Sequence, residues 1–234
     1  MDLDFSILVE HREVLINGFK LTIFIVICSI FLGMVLGAIL AIGRMSQRLY
    51  LRVPAVTIVE FIRNTPFIIQ AFLFYHGLLA LGGALPEVLV GILALALYSS
   101  AYYAEILRAG ILAVPHGQSQ SARAVGMSYF QSLRNVVFPQ MWPIVLPPMA
   151  SQTMSLVKES SILSTITVWE LTLSAQSVQG ITFRPFELFF LTAILYWGTN
   201  ESIAFGIRRL EKLLQKRQSR RVSKEASGRA EYVT

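Results

Sequence analysis

Residues 19–43 read FKLTIFIVICSIFLGMVLGAILAIG, a run whose one charge is Lys20, near its start. A bilayer hydrocarbon core of about 30 Å is crossed by about 20 mostly apolar helical residues, and a helix satisfies its own backbone polar groups there. This run is long enough to do both, so it commits the chain to lipid. Working outward, comparable runs occupy 54–79, 87–108, 140–158 and 186–207. The expectation is an all-α polytopic membrane protein with about five transmembrane helices. Composition agrees. The 234 residues are 54% hydrophobic and 15% charged, with mean hydropathy +0.59, too apolar for an ordinary soluble domain of this size.

Charge fixes the expected orientation. Arg44, Arg48 and Arg52 follow the first run, Arg108, Arg123 and Arg134 surround the loop after the third, and Arg208, Arg209, Lys212, Lys216 and Arg217 follow the fifth. Lys and Arg are retained on the cytoplasmic side. The alternation therefore puts the N-terminus outside and the C-terminus inside, with Arg12 and Arg184 as exceptions. The net charge of +6 belongs to this topology, and nucleic acid is not an expected partner. The acidic residues Asp2, Asp4, Glu10 and Glu13 precede the first run, the reverse of a secretory signal, so the run reads as a retained helix. The segments are an outer N-terminus (1–14), a transmembrane region (15–210) and a basic cytoplasmic tail (211–234), partly disordered. Cys28 is the sole cysteine and the three histidines are scattered, so neither a disulfide nor a metal site is expected.

Two backbone features stand out inside the runs. Gly33 and Gly37, four apart, either let another helix approach closely or are ordinary glycines in an apolar helix. Pro139, Pro143, Pro147 and Pro148 remove amide donors from the fourth run and are expected to bend or interrupt it.

The loop from His116 to Pro139 carries the most specific pattern. Ser119–Val125 reads as a short helix ended by Gly126, which takes a left-handed C-cap without steric penalty. Ser128 and Gln131 form an S-x-x-Q capping box that starts a second helix, with Phe130, Leu133 and Val137 at helical spacing. The stretch Gly117-Gln118-Ser119-Gln120-Ser121-Ala122-Arg123-Ala124-Val125-Gly126, followed by Val136-Val137-Phe138-Pro139-Gln140, resembles the EAA loop of the membrane subunits of ATP-binding-cassette importers. Within them it is similar to the polar amino acid permease family. Phe61-Ile62-Arg63-Asn64-Thr65-Pro66, 101–111 and Leu156-Val157-Lys158-Glu159-Ser160-Ser161 extend the likeness over roughly residues 15 to 210.

The resemblance implies a type I importer fold in a bacterial inner membrane. It also implies a coupling loop, carried by Gly117, Gln120, Ser121, Ala122, Gly126 and Pro139, that docks on a separate ATPase. Gln120 and Ser121 stand where a glutamate and an alanine are usual, so the expected docking is by shape, through Ala122 and Gly126. The implied partners are two ATPase copies holding ATP and Mg, a second permease copy or homologue, an extracytoplasmic solute-binding protein and membrane lipid. No cofactor belongs to the chain itself. It contains no G-x-x-x-x-G-K-[ST] loop, so it reads as a non-enzymatic transport subunit.

Polar residues within the runs are the candidate substrate pathway: Arg63, Thr65, Gln70, Gln152, Lys158, Glu159, Ser160 and Ser161. An intramembrane charge costs roughly 2.5 to 3.5 kcal/mol even on insertion scales. Arg63 therefore either pairs with Glu60, three residues earlier, or binds a substrate carboxylate. Glu159 either ends its helix at the outer interface beside Lys158 or supplies the anion for an amino acid's ammonium. Gln70 and Gln152 read more readily as interhelical hydrogen bonds, and Tyr102 and Tyr103 as packing aromatics. Glu105 and Arg108 are expected to pair with each other or with the loop. The rival class is an ATP-independent carrier or channel built on Glu60, Arg63, Glu159 and Glu201.

Overall fold

A computed structural model describes residues 3–83 and 85–231, with side chains through residue 210. Among the described residues the ordered elements are all helical. They are α1 (Ser6–Glu10), α2 (Arg12–Met45), α3 (Leu49–Arg63), α4 (Phe67–Ala80), α5 (Glu87–Ala113), α6 (His116–Ala124), α7 (Tyr129–Ser132), α8 (Phe138–Glu159), α9 (Leu171–Thr182) and α10 (Pro185–Glu231). A π turn at Leu133–Val137 precedes α8, and a 3-10 segment, Ser160–Ile166, follows it. The side chains of 211–234 lie outside the described ones, and the backbone of the basic tail, expected to be partly disordered, continues α10 as far as Glu231.

The first, third, fourth and fifth apolar runs each lie in one helix, and the second does not. Residues 54–79 break at Asn64–Pro66 into α3 and α4, which meet at a bend of 113°. Pro66 is the reason. It lacks an amide donor and forces the preceding residue away from helical backbone. The break is then closed by side chains: Gln70 Nε2 donates to Ile62 O at 2.7 Å, Thr65 O at 3.0 Å and Thr65 Oγ1 at 2.8 Å. By length and apolarity α2 and α5 are membrane spans, and the bent α3–α4 pair makes a third if taken together. In α8 and α10 the runs are interrupted by groups such as Gln140, Gln152, Glu187, Asn200 and Glu201.

Of the four prolines, Pro139 stands beside an interruption. α8 continues through Pro143, Pro147 and Pro148, and the departure from α geometry falls upstream. There Phe138 N–H reaches Leu133 O, five residues back. The ring of Pro139 crowds the Asn135 carbonyl four residues earlier, and opening the turn to π spacing relieves that contact. The second arm of the loop is therefore not a separate helix but the start of one helical path from Tyr129 to Glu159.

The described chain divides into two units. The first comprises Met1–Arg108 with Ser151–Asn200. Its core gathers Ile25, Val59, Ile62, Phe67, Leu95, Ala101, Leu156, Leu163 and Ile166 from several helices. The close approach of α2 to α5 is made by Gly33 and Gly37: a Cβ at Gly37 would lie 2.8 Å from Tyr103 Cβ and 2.9 Å from Ser100 O. Of the two readings of these glycines, the close-approach one holds. At the other end of α2, Gly18 admits Ser174 of α9, and Leu171 N–H donates to Thr22 Oγ1 at 3.0 Å. Glu170, fully buried, caps α9 by accepting from Thr172 N and Leu173 N, both at 2.9 Å, and from the Tyr196 hydroxyl at 2.8 Å. Those three donors compensate a carboxylate that burial would otherwise penalise.

The second unit comprises Ala109–Ala150 with Glu201–Thr234. Within it Gly110 lies against Val145, and Arg208 pairs with Glu201.

Candidate functional site: a capped hairpin and an aromatic ridge

The hairpin of the second unit is built from local bonds that leave few terminal groups unpaired. At the end of α6, Gly126 adopts φ +90°. Its N–H donates to Arg123 O at 3.0 Å, and Met127 N–H donates to Ala122 O at 3.2 Å. This pair of bonds is the Schellman closure, which needs a left-handed residue where Gly126 stands. Two residues on, Gln131 N–H donates to Ser128 Oγ at 3.3 Å and Ser128 N–H to Gln131 Oε1 at 2.8 Å, the reciprocal capping box. The arms are tied by Ser119 Oγ and Ser132 Oγ at 3.1 Å and by Gln140 Nε2 donating to Gln118 Oε1 at 3.3 Å.

Ala122 is turned the other way from the expectation. It is buried within the hairpin, alongside fully buried Ser132, so it sets how closely the arms approach and presents nothing to a partner. Gly117, Gln120, Ser121, Gly126 and Pro139 are exposed. So are Val125, Tyr129 and Phe130, at 77%, 64% and 74%, an apolar patch at the hairpin tip that the sequence reading passed over. Their clustering around Gly126 was the available signal.

In the first unit the polar residues separate into distinct groups. Arg63, at the C-terminal end of α3, lies with its guanidinium 5.7 Å from the ring centroid of Tyr102. Tyr102 packs on Tyr98 at 5.0 Å, and Tyr98 on Phe67 at 4.9 Å, so α5 carries an aromatic ridge at i, i+4 spacing. Glu159, at the end of α8, is close enough to interact electrostatically with Tyr98. Arg63 therefore lies over Tyr102, and Glu159 acts through space on Tyr98. Tyr103, next in sequence, is fully buried and pairs its hydroxyl with Thr153 Oγ1 at 3.1 Å, a packing role.

Glu60 does not hold Arg63. It accepts from Arg44 Nη2 at 3.3 Å, and the same nitrogen lies 3.3 Å from Glu105 Oε2. Glu105 in turn receives Arg108 Nε at 3.0 Å, the expected pair. Arg44, first noticed only as a topology marker, is nine-tenths buried and ties α2, α3 and α5 together.

The remaining candidates divide between the break and the end of α8. Gln70 and Thr65 are engaged at the break, where Thr65 Oγ1 also donates to Phe61 O at 2.9 Å. Lys158 is exposed and Glu159 half-buried. Ser160 and Ser161 each return their hydroxyl to a backbone carbonyl three residues back, Val157 O and Lys158 O, both at 2.7 Å. Gln152 is buried with Nε2 unpartnered. Among the described residues no group of His, Cys, Asp and Glu has the placement to hold a metal ion.

An inner-membrane component model for binding-protein-dependent transport systems matches residues 33–216, the segment that holds the ridge, the break and the hairpin. The chain belongs to that family. Over 204 residues it is 35% identical to a probable amino-acid ABC transporter permease protein, YckA, of Bacillus subtilis, covering 87% of this chain and 90% of that one. It is also 35% identical over 211 residues to a probable glutamine ABC transporter permease protein, GlnM, of the same organism, covering 90% and 98%. Its fold matches the crystal structure of an amino acid ABC transporter with histidines at a TM-score of 0.84 and 33% identity, covering 91% of this chain and 99% of that one.

This family member is therefore the permease subunit of an ABC importer, with the type I transmembrane fold. It is an inner-membrane, non-enzymatic component. ATP hydrolysis resides in a partner subunit, and a substrate-binding protein is the other general partner. An ATP-independent carrier is not favoured.

Proposed function

We propose that this permease carries polar amino acids, and that Arg63 and Glu159 receive the two ends of the zwitterion across the Tyr98–Tyr102 ridge. The observation that carries the reading is the freedom of Arg63: it faces an aromatic ring while its sequence neighbour Glu60 is engaged by Arg44. A guanidinium binds a carboxylate through paired, charge-assisted hydrogen bonds, and a carboxylate receives an ammonium equally well. The names of the relatives, one for amino acids and one for glutamine, support the substrate class.

In this reading the N-terminus is outside and the C-terminus in the cytoplasm. Two permease copies, identical or homologous, form the pathway, and two ATPase copies bind ATP and Mg. The hairpin 116–139 docks on the ATPase, with Val125, Tyr129 and Phe130 filling apolar pockets around exposed Gly117, Gln120, Ser121 and Gly126. A loaded extracytoplasmic binding protein delivers substrate, and ATP-driven closure moves the hairpin and alternates access to the ridge.

The test is uptake of labelled L-glutamine, L-arginine and L-histidine into proteoliposomes holding the whole assembly with its binding protein. Arg63→Gln and Glu159→Gln each lower uptake about tenfold or more while ATPase association persists, since each removes a charge-assisted contact. Wild-type uptake in both variants overturns the site. ATP-independent uptake overturns the importer mechanism.

A further inference from the structure

We infer that Arg44 is a positioning residue that holds Glu60 away from Arg63 and so keeps the pathway's cation free; this rests on the substrate-site reading above. Glu60 and Arg63 stand three apart on α3, the spacing at which opposite charges meet on a helix surface. Arg63 would gain a charge-assisted hydrogen bond by taking that partner. It does not do so: Arg63 lies over Tyr102, and Glu60 Oε1 points to Arg44 Nη2 at 3.3 Å. Glu60 is further held toward the helix break, where Asn64 Nδ2 donates to Glu60 O at 2.8 Å and approaches Oε2 at 3.4 Å.

Arg44 is suited to this competition. It rises from the last turn of α2, is nine-tenths buried, and has Nε and Nη1 buried without partners. A guanidinium so placed depends on its carboxylates. Its second one, Glu105, is shared with Arg108 at ion-pair distance, whereas Arg108 reaches Glu60 only through space. Charge balance points the same way. Arg44, Arg108, Glu60 and Glu105 carry two charges of each sign and are joined by ion pairs, while Arg63 acts on Glu105 only through space and lies over Tyr102.

Removing Arg44 releases Glu60 to close on Arg63. The expected result is a substrate cation occupied by the protein's own anion. Arg44→Met, Glu60→Gln and the double variant are compared in the full assembly, by cryo-EM of the permease and by uptake of labelled L-glutamine, L-arginine and L-histidine. Arg44→Met should bring the Glu60 carboxylate into ion-pair distance of Arg63 and lower uptake about tenfold or more, the effect of losing one charged hydrogen bond. Adding Glu60→Gln should restore uptake to within about threefold of wild type, because no anion remains to capture Arg63.

A scaffold role for Arg44 predicts the opposite: the double variant stays as impaired as the single one, with Arg63 still over Tyr102. That result overturns the inference and leaves the substrate site standing. If the new ion pair forms and uptake is unchanged, Arg63 is not a substrate contact, and the inference falls with the reading it rests on.

Discussion

The α2–α5 seam of the first unit and the hairpin of the second both depend on glycine, and for opposite reasons. At Gly37 the missing Cβ makes room, since backbone and side chain of α5 lie within 2.9 Å of where it would stand. At Gly126 there is nothing within 4 Å of a Cβ, and what matters is φ +90°. One glycine is a packing requirement and the other a conformational one. The difference shows that a single residue type can serve close packing in one region and a turn conformation in another.

Three substitutions test that contrast, in descending order of expected effect. Gly37→Val should be the most damaging, because overpacking costs about 1 to 3 kcal/mol and the Ser100 carbonyl cannot yield as a side-chain tip would. Thermal unfolding of the detergent-extracted protein should show loss of the folded permease; an unchanged midpoint would mean the seam opens without cost. Gly126→Val should abolish uptake and ATPase co-purification while shifting that midpoint less, since the strain of about 1 to 3 kcal/mol on a β-branched residue at positive φ falls on the hairpin turn and not on the packed seam. Normal uptake there would remove the hairpin from the coupling role. Ser128→Ala is the mildest. Loss of an N-cap costs about 1 kcal/mol, so amide exchange at Tyr129–Gln131 should quicken by about fivefold with uptake reduced but present. Unchanged exchange would show that the Schellman turn alone fixes the hairpin.

Legibility followed the range of the interactions. The Gly126 turn and the Ser128–Gln131 box could be read directly, because every donor and acceptor involved lies within five residues of its partner. Ala122 was assigned to the wrong side because a small residue on a short helix suits either an outer groove or an inner contact, and only the second arm decides. The bend at Asn64–Pro66 was half legible. Pro66 announces a break, but the 113° angle is stabilised by Gln70 reaching back across it. Arg44 was read only for topology and missed for structure, since its partners come from α3 and α5.

By itself the sequence determined the solvent, the helical class, the hairpin's caps and the resemblance to importer permeases. Those follow from apolar run length, backbone hydrogen bonding in lipid and contacts a few residues apart. Only the tertiary structure decided which carboxylate holds which arginine. Glu60 is a plausible partner for Arg63 by spacing and for Arg44 by packing, and burial between α2, α3 and α5 settles the contest in favour of Arg44. Charges in a helix sequence are assigned partners by the helices around them, because a buried ion is stabilised by whichever opposite charge the fold brings nearest.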